Sequence, residues 1–139
     1  MKVLVDTSVW SLALRRRSEA LSADEKSMVA ELTELIREGR AAIIGLIRQE
    51  LLSGVKTSEQ YEKLRLHLRS FPDDSLNEAD YEDAARFSNV CRAKGIAVFV
   101  VDMLICAVAS NRSWSIFTTD PDFKRFATVL ALKIHHPRT

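Results

Sequence analysis

Two apolar rhythms alternate along this chain. Short runs of consecutive apolar residues mark strands buried on both faces. Between them lie longer stretches with apolar residues three and four apart, the mark of amphipathic helices. Residues 2–5 form the first short β-type run, which stops at Asp6. A helix is predicted over 9–14, with Thr7 or Ser8 available as its cap. After the basic loop Arg15-Arg16-Arg17, Ser22-Ala23-Asp24-Glu25 has the form of a capping box and opens a long helix. Met28, Leu32, Leu35 and Ile36 make one stripe on it, and Gly39 stands where a helix C-terminal glycine belongs. A second short strand over 42–44 precedes a brief helix over 46–53, stopped by Gly54. Thr57-Ser58-Glu59-Gln60 starts another helix, with Tyr61, Leu64 and Leu68 on one face. Phe71-Pro72 breaks it, and a short strand or extended link follows to Leu76. Asn77 caps a helix reaching Lys94, with Tyr81, Ala84, Ala85, Val90 and Cys91 inward, and Gly95 ends it. Residues 96–101 read as extended or loop, 102–110 as helix, 115–118 as strand, 121–126 as a helical turn and 129–134 as a final strand.

Short strands separated by helices imply an α/β fold with a parallel sheet covered on both faces. In such sheets ligands bind outside the carboxyl ends of the strands, so the polar residues there are the first to inspect. Asp6 ends the first strand, and Asp120 and Asp122 follow the strand at 115–118. Glu50 sits on the helix after the second strand, at about 40° from Leu46 on a helical wheel and so inside the apolar arc. Asp102 shares a face with Ile105, Cys106 and Ala109. Each acid also has a structural reading. Asp6 and Asp102 can cap helices, Asp120-Pro121-Asp122 can form a plain turn, and Glu50 can pair with Arg48. Together, four elements put carboxylates at one sheet edge with no core-facing Lys or Arg to neutralise them. A divalent cation would do so, and all-oxygen ligation suits Mg²⁺ or Mn²⁺.

Composition narrows the classes. The 139 residues suit one domain over 1–139, and 47% hydrophobic content is enough for a core. The 20 Lys and Arg nearly cancel 19 Asp and Glu, which excludes a strongly basic coat or an acidic tail. Thirteen of the 20 cations are Arg, which grips phosphate bidentately. Cys91 and Cys106 are too few for a disulfide scaffold or a zinc site and read as buried reduced thiols. Asp6 interrupts any secretory apolar core at the start, and no apolar run is long enough to span a bilayer. A cytoplasmic protein with no membrane segment is therefore expected. His67, His135 and His136 read as surface residues, with no catalytic serine or cysteine arrangement around them.

Four motifs in order carry a resemblance. Asp6-Thr7-Ser8-Val9-Trp10, Glu50 within Arg48-Gln49-Glu50-Leu51-Leu52-Ser53-Gly54, Asp102 within Asp102-Met103-Leu104-Ile105-Cys106-Ala107-Val108-Ala109, and Thr118-Thr119-Asp120-Pro121-Asp122-Phe123 are similar to those of PIN domains. Length and motif spelling most resemble the VapC-type toxin ribonucleases of toxin–antitoxin pairs. The resemblance implies a three-layer α/β/α fold with a short, mostly parallel sheet and an Mg²⁺- or Mn²⁺-dependent endoribonuclease. The family's four acids fall on Asp6, Glu50, Asp102 and Asp120. A second, more variable acid falls on Asp122, and a hydroxyl near the metal falls on Thr118. The resemblance also implies a VapB-like antitoxin partner and a homodimer. Gly45 and Leu46 stand where many relatives carry Ser or Thr, so that hydroxyl is missing. Candidates for gripping RNA are Arg15–Arg17, Arg48, Arg112, Lys124 and Arg125, with Trp10 placed to stack a base or to pack in the core or a partner interface. Trp10, Leu12 and Leu14 could line a groove for the partner. The alternatives are a PIN nuclease of RNA processing without an antitoxin, a non-catalytic RNA-binding or scaffold module, and a receiver-like signalling module. The last wants paired acids at the first strand and a late lysine, whereas this chain has a single Asp6 there and puts its acids on helices.

Overall fold

The structure, a computed structural model, describes residues 1–138. Its elements, in chain order, are β1 (Val3–Val5), α1 (Thr7–Leu14), a short 3₁₀ turn at Ser18–Ala20, α2 (Ala23–Arg37), β2 (Ala41–Ala42) and α3 (Gly45–Leu52). Then follow α4 (Ser58–Leu68), α5 (Glu78–Ala93), α6 (Val100–Arg112), β3 (Ser115–Phe117) and α7 (Asp122–Phe126). The three strands form a parallel sheet in the order β2-β1-β3. All three residues of β1 are fully buried, as a central strand with helices on both faces requires. On one side α1 packs on α2 and α3; on the other α5 packs along α6, which lies on β1 and β3. This is the expected three-layer α/β/α arrangement.

Local sequence explains the helix ends. Ser22 and Glu25 close a reciprocal capping box at α2, and Asn77 and Asp80 close a second at α5. Gly39 takes the left-handed conformation (φ 69°) after α2, and its N–H bonds back to Ile36 O.

Three expected elements change. The strand expected at 42–44 pairs only at Ala41–Ala42. Beyond that pair, Ile43 O accepts from Asp74 N (2.9 Å), so the link after α4 covers this edge in place of a longer strand. The strand expected at 129–134 reduces to a single bridge, Ile116 with Ile134. Val129 N and Leu130 N bond back to Phe126 O, which keeps this stretch turned rather than extended. Finally, α6 begins at Val100, inside the stretch expected to be extended, so Asp102 lies in its first turn and Phe99 holds the cap position.

Candidate active site

The sheet places the first acid. Register pairs Val5 with Phe117, and Asp6 N continues the ladder to Phe117 O (2.9 Å). Asp6 and Thr118 therefore leave the carboxyl ends of neighbouring strands side by side. Asp6 is buried (7% exposed) and sits at the cap position of α1, yet its carboxylate makes no capping bond. Its Oδ2 instead accepts from Ser8 Oγ (2.7 Å) and Thr118 Oγ1 (2.8 Å). Thr118 Oγ1 also accepts from Asp120 N (3.0 Å), which ties the loop after β3 to the same network. Ser8 Oγ in turn accepts from Thr119 N (3.0 Å). Oδ1 of Asp6 has no partner in this network.

Thr7 Oγ1 donates to Glu50 Oε1 (2.6 Å) and holds α3 against the start of α1. Glu50 is exposed, which corrects the expectation of a core-facing position. The eight residues of α3 bury only Ile47 and Leu51. Leu46 and Glu50, one step round the wheel, line an open cleft with Thr7, Gln49, Ser53 and Val101. Asp120 Oδ1 accepts from Asp122 N (2.9 Å), so the Asp-Pro turn reading holds for that oxygen. Asp122 pairs with Arg125 (2.9 Å) on the next turn of α7.

Among the described residues the Asp102 carboxyl has no hydrogen bond and no ion pair, and α6 gains no side-chain cap from it. Its carboxyl is pushed up to about 7, first by burial and then by the charges of Asp6, Asp120, Glu50 and Asp122. Four acids from α1's entry, α3, the loop after β3 and the start of α7 thus act on one acid of α6. Beneath it, Cys106 is fully buried, and burial with the Asp102 charge pushes its thiol up, so it stays a neutral packing residue.

The partners of the buried acids set this place apart. Glu31 meets His135 (2.6 Å) and Arg138 (3.2 Å); Asp80 meets Arg112 (2.9 Å). Asp6 meets only hydroxyls. Among the described residues no cation pairs with Asp6, Glu50, Asp102 or Asp120. Nor, among them, do three His, Cys, Asp or Glu side chains stand close enough to ligate one ion as they lie. The donors are all hard oxygens with excess negative charge, the chemistry that fits Mg²⁺ or Mn²⁺.

Several RNA-gripping candidates have structural partners instead. Arg48 binds Asp73 (2.9 Å) and the carbonyls of Leu68 and Phe71; Arg112 binds Asp80 and Ser75 O. Trp10 is fully buried, 5.0 Å from Phe71 between ring centroids, so it belongs to the core and cannot stack a base. Leu12 is buried as well and Leu14 half-buried, which leaves α1 little free apolar face. His135 is not a surface residue: it is bonded to Glu31 and set edge-on to Phe117 (5.2 Å). Thr7 and Ser8, the cap candidates of the sequence, use their hydroxyls on Glu50 and Asp6. The better signal was their position directly after a strand-ending acid.

The sequence pattern of the PIN domain family matches residues 3–129. The chain belongs to the PIN domain family. No curated protein sequence matches it. Among solved structures, this PIN domain is similar to a chain of FitAcB from Neisseria gonorrhoeae (TM-score 0.76, 21% identity, 97% of each chain covered). It is also similar to a chain of VapBC2 from Rickettsia felis bound to a DNA fragment from their promoter (TM-score 0.76, 18% identity, 97% of this chain and 98% of that one). A third likeness is VapBC-1 from nontypeable Haemophilus influenzae (TM-score 0.74, 15% identity, all of both chains). At these identities the likeness is one of fold. No helix among the described residues is long and apolar enough to cross a membrane.

Proposed function

We propose that this PIN domain is a divalent-metal-dependent endoribonuclease, and that it works in the cytoplasm, as one domain over 1–139, as the toxin of a VapBC-type pair. The observation that carries the reading is the uncompensated acid set at the carboxyl edge of the sheet, with Asp102 at its centre. Asp6, Glu50, Asp102 and Asp120 would hold Mg²⁺ or Mn²⁺, with Asp122 beside them. When bound, such an ion polarises a phosphodiester oxygen and lowers the pKa of a water. The chain's own residues prepare the place. Ser8 and Thr118 fix one oxygen of Asp6 and leave the other free, and Thr7 fixes Glu50. Without a basic side chain at the centre, acid–base catalysis by histidine has no support here.

The likeness to FitAcB and VapBC chains supports an antitoxin partner; as proposed, that partner covers the acidic cleft and the toxin pairs with a second copy of itself. The decisive experiment incubates mixed RNA with wild type and Asp6→Asn, each with Mg²⁺ and with EDTA. Cleavage by wild type with Mg²⁺ alone is expected. Equal cleavage in all four tubes refutes the assignment. Induction in a host lacking the antitoxin separates toxin from RNA-processing nuclease: wild type arrests growth and Asp102→Asn does not. Arrest by neither, at matched protein levels, removes the toxin role and leaves the nuclease.

A further inference from the structure

A second cleft adjoins the acidic one. It has a volume of about 390 Å³ and is lined by Arg15 at the end of α1, Lys56 before α4, and Lys63 and His67 on α4. All four are exposed, none has an ion pair among the described residues, and the lining contains no carboxylate. Converging cations repel one another, and three ammonium or guanidinium groups in one concavity raise its potential for anions. Elsewhere on this surface many cations have an acid beside them, as Arg65 has Glu62 and Arg86 has Asp83.

Its place relative to the acids gives the cleft a purpose. Ser53 lines the acidic opening with Glu50, and the next residue, Gly54, lines the basic one. The φ of Gly54 is 81°, a left-handed turn that a side chain would strain, and it lets the chain pass from one cleft to the other. Along α1, Thr7 beside Glu50 and Arg15 are eight residues apart, about 12 Å at ~1.5 Å per residue. That separation spans roughly three to four nucleotides at a stacked spacing of ~3.4 Å.

We propose that this cleft seats the phosphates of a single-stranded RNA substrate, three to four nucleotides from the bond that is cut. The inference rests on the nuclease reading above. A centre of five carboxylates repels a polyanion, so approach of a strand needs cations within a Debye length or so of the acids, ~8–10 Å at ordinary salt. Arg15, ~12 Å from Thr7 along α1, stands at the outer edge of that range, Lys56 and Lys63 line the same cleft, and Leu14, Val55 and Leu64 give it an apolar floor for the bases.

The test measures binding of a labelled 12-nucleotide single-stranded RNA of mixed sequence, in EDTA and the Asp102→Asn background, over a range of salt. For single strands each phosphate contact contributes about 0.7 to the log–log salt slope. Lys56→Gln/Lys63→Gln should lower the slope by about 1.4 and weaken binding on the order of tenfold at 0.1 M salt. Lys26→Gln/Lys94→Gln, equal in charge but outside the cleft, should change neither. Arg15→Gln alone should lower the slope by about 0.7, and serves if the double variant melts early. In the active chain the same double variant should raise KM with kcat retained. An unchanged slope while wild type still cleaves RNA overturns this inference alone. Loss of poly-glutamate binding with RNA binding intact makes the cleft a peptide-docking surface and also overturns it. If wild type neither cleaves nor binds RNA, the nuclease reading and this inference fall together.

Discussion

Asp80 and Asp102 lie on adjacent packed helices, α5 and α6, and their surroundings are opposite. Asp80 is fully buried, yet every part of it is answered. Arg112 binds it bidentately, Asn111 Nδ2 donates to it (3.0 Å), and it closes the capping box with Asn77. The Arg112 guanidinium holds its carboxyl well below the usual carboxylate range, burial notwithstanding. Asp102 is less buried, faces four other acids and has no side-chain partner among the described residues, and its carboxyl rises to about 7. An acid that faces a cation is part of the frame. An acid that faces only acids is incomplete until something positive arrives from outside. Glu31, between His135 and Arg138, follows the pattern of Asp80.

Removing the charge should therefore have opposite consequences at the two places. The largest effect expected is on activity. Asp102→Asn should lower metal-dependent RNA cleavage about a thousandfold, the scale of a lost electrostatic group at a reacting centre. It should leave the far-ultraviolet circular dichroism unchanged. Retention of more than a tenth of wild-type cleavage would move Asp102 out of the centre. Next in size, Asp80→Asn should leave the half-buried Arg112 without its carboxylate, at a cost of about 2–3 kcal/mol. Its pKa is depressed in the fold, so the stability Asp80 contributes is present above about pH 4. It is lost as pH falls through the folded value. The variant should melt well below wild type at pH 7 with the gap closing in acid, and with catalysis per folded molecule retained. A melting point equal to wild type at pH 7 would show that the pair stabilises nothing.

Sequence reading reached local features and missed long-range ones. The capping box at Ser22, the cap at Asn77 and the strand-ending Asp6 were legible because their partners lie within a few residues. The acidic set was legible because parallel strands deliver their carboxyl ends to one edge, so Asp6 and the Thr118–Asp120 loop meet however the helices pack. The Asp80–Arg112 pair, 32 residues apart, and the Glu31–His135 contact, 104 apart, leave no trace in any periodicity. Arg112 and Arg48 therefore stand among the sequence's candidates for gripping RNA, although the fold pairs them with Asp80 and Asp73. Glu50 shows the limit of the helical wheel. In an eight-residue helix two buried side chains define the inner face, and a residue one step away already lines open space. The strand expected at 129–134 had the right composition, but tight bonding back to Phe126 holds its first half in turns.

The smallest effect separates the two acids most sharply, because it inverts the usual result of mutating a buried group. Without metal, Asp102→Asn should stabilise the chain. A carboxyl whose folded pKa is raised favours folding fully only below its unfolded value, near 3.8, and that contribution is lost as pH rises through about 7. At pH 8 wild type must hold Asp102 ionised beside four like charges, whereas asparagine has no charge to repel. The side chain is partly exposed, so solvent screening reduces the gain to about 1–3 kcal/mol, a few degrees in Tm. Near pH 5, a little over one unit above the unfolded value, the variant's advantage should shrink to roughly a third of that at pH 8. Millimolar Mg²⁺ should reverse the order at pH 8, since wild type binds the ion more tightly and gains RT ln(1 + [Mg²⁺]/Kd). Thermal melts of both proteins in EDTA and in Mg²⁺, at pH 5 and pH 8, read all of this directly. If Asp102→Asn melts below wild type in EDTA at both pH values, Asp102 supports the frame as Asp80 does. The acid set would then lose the member on which the other four converge.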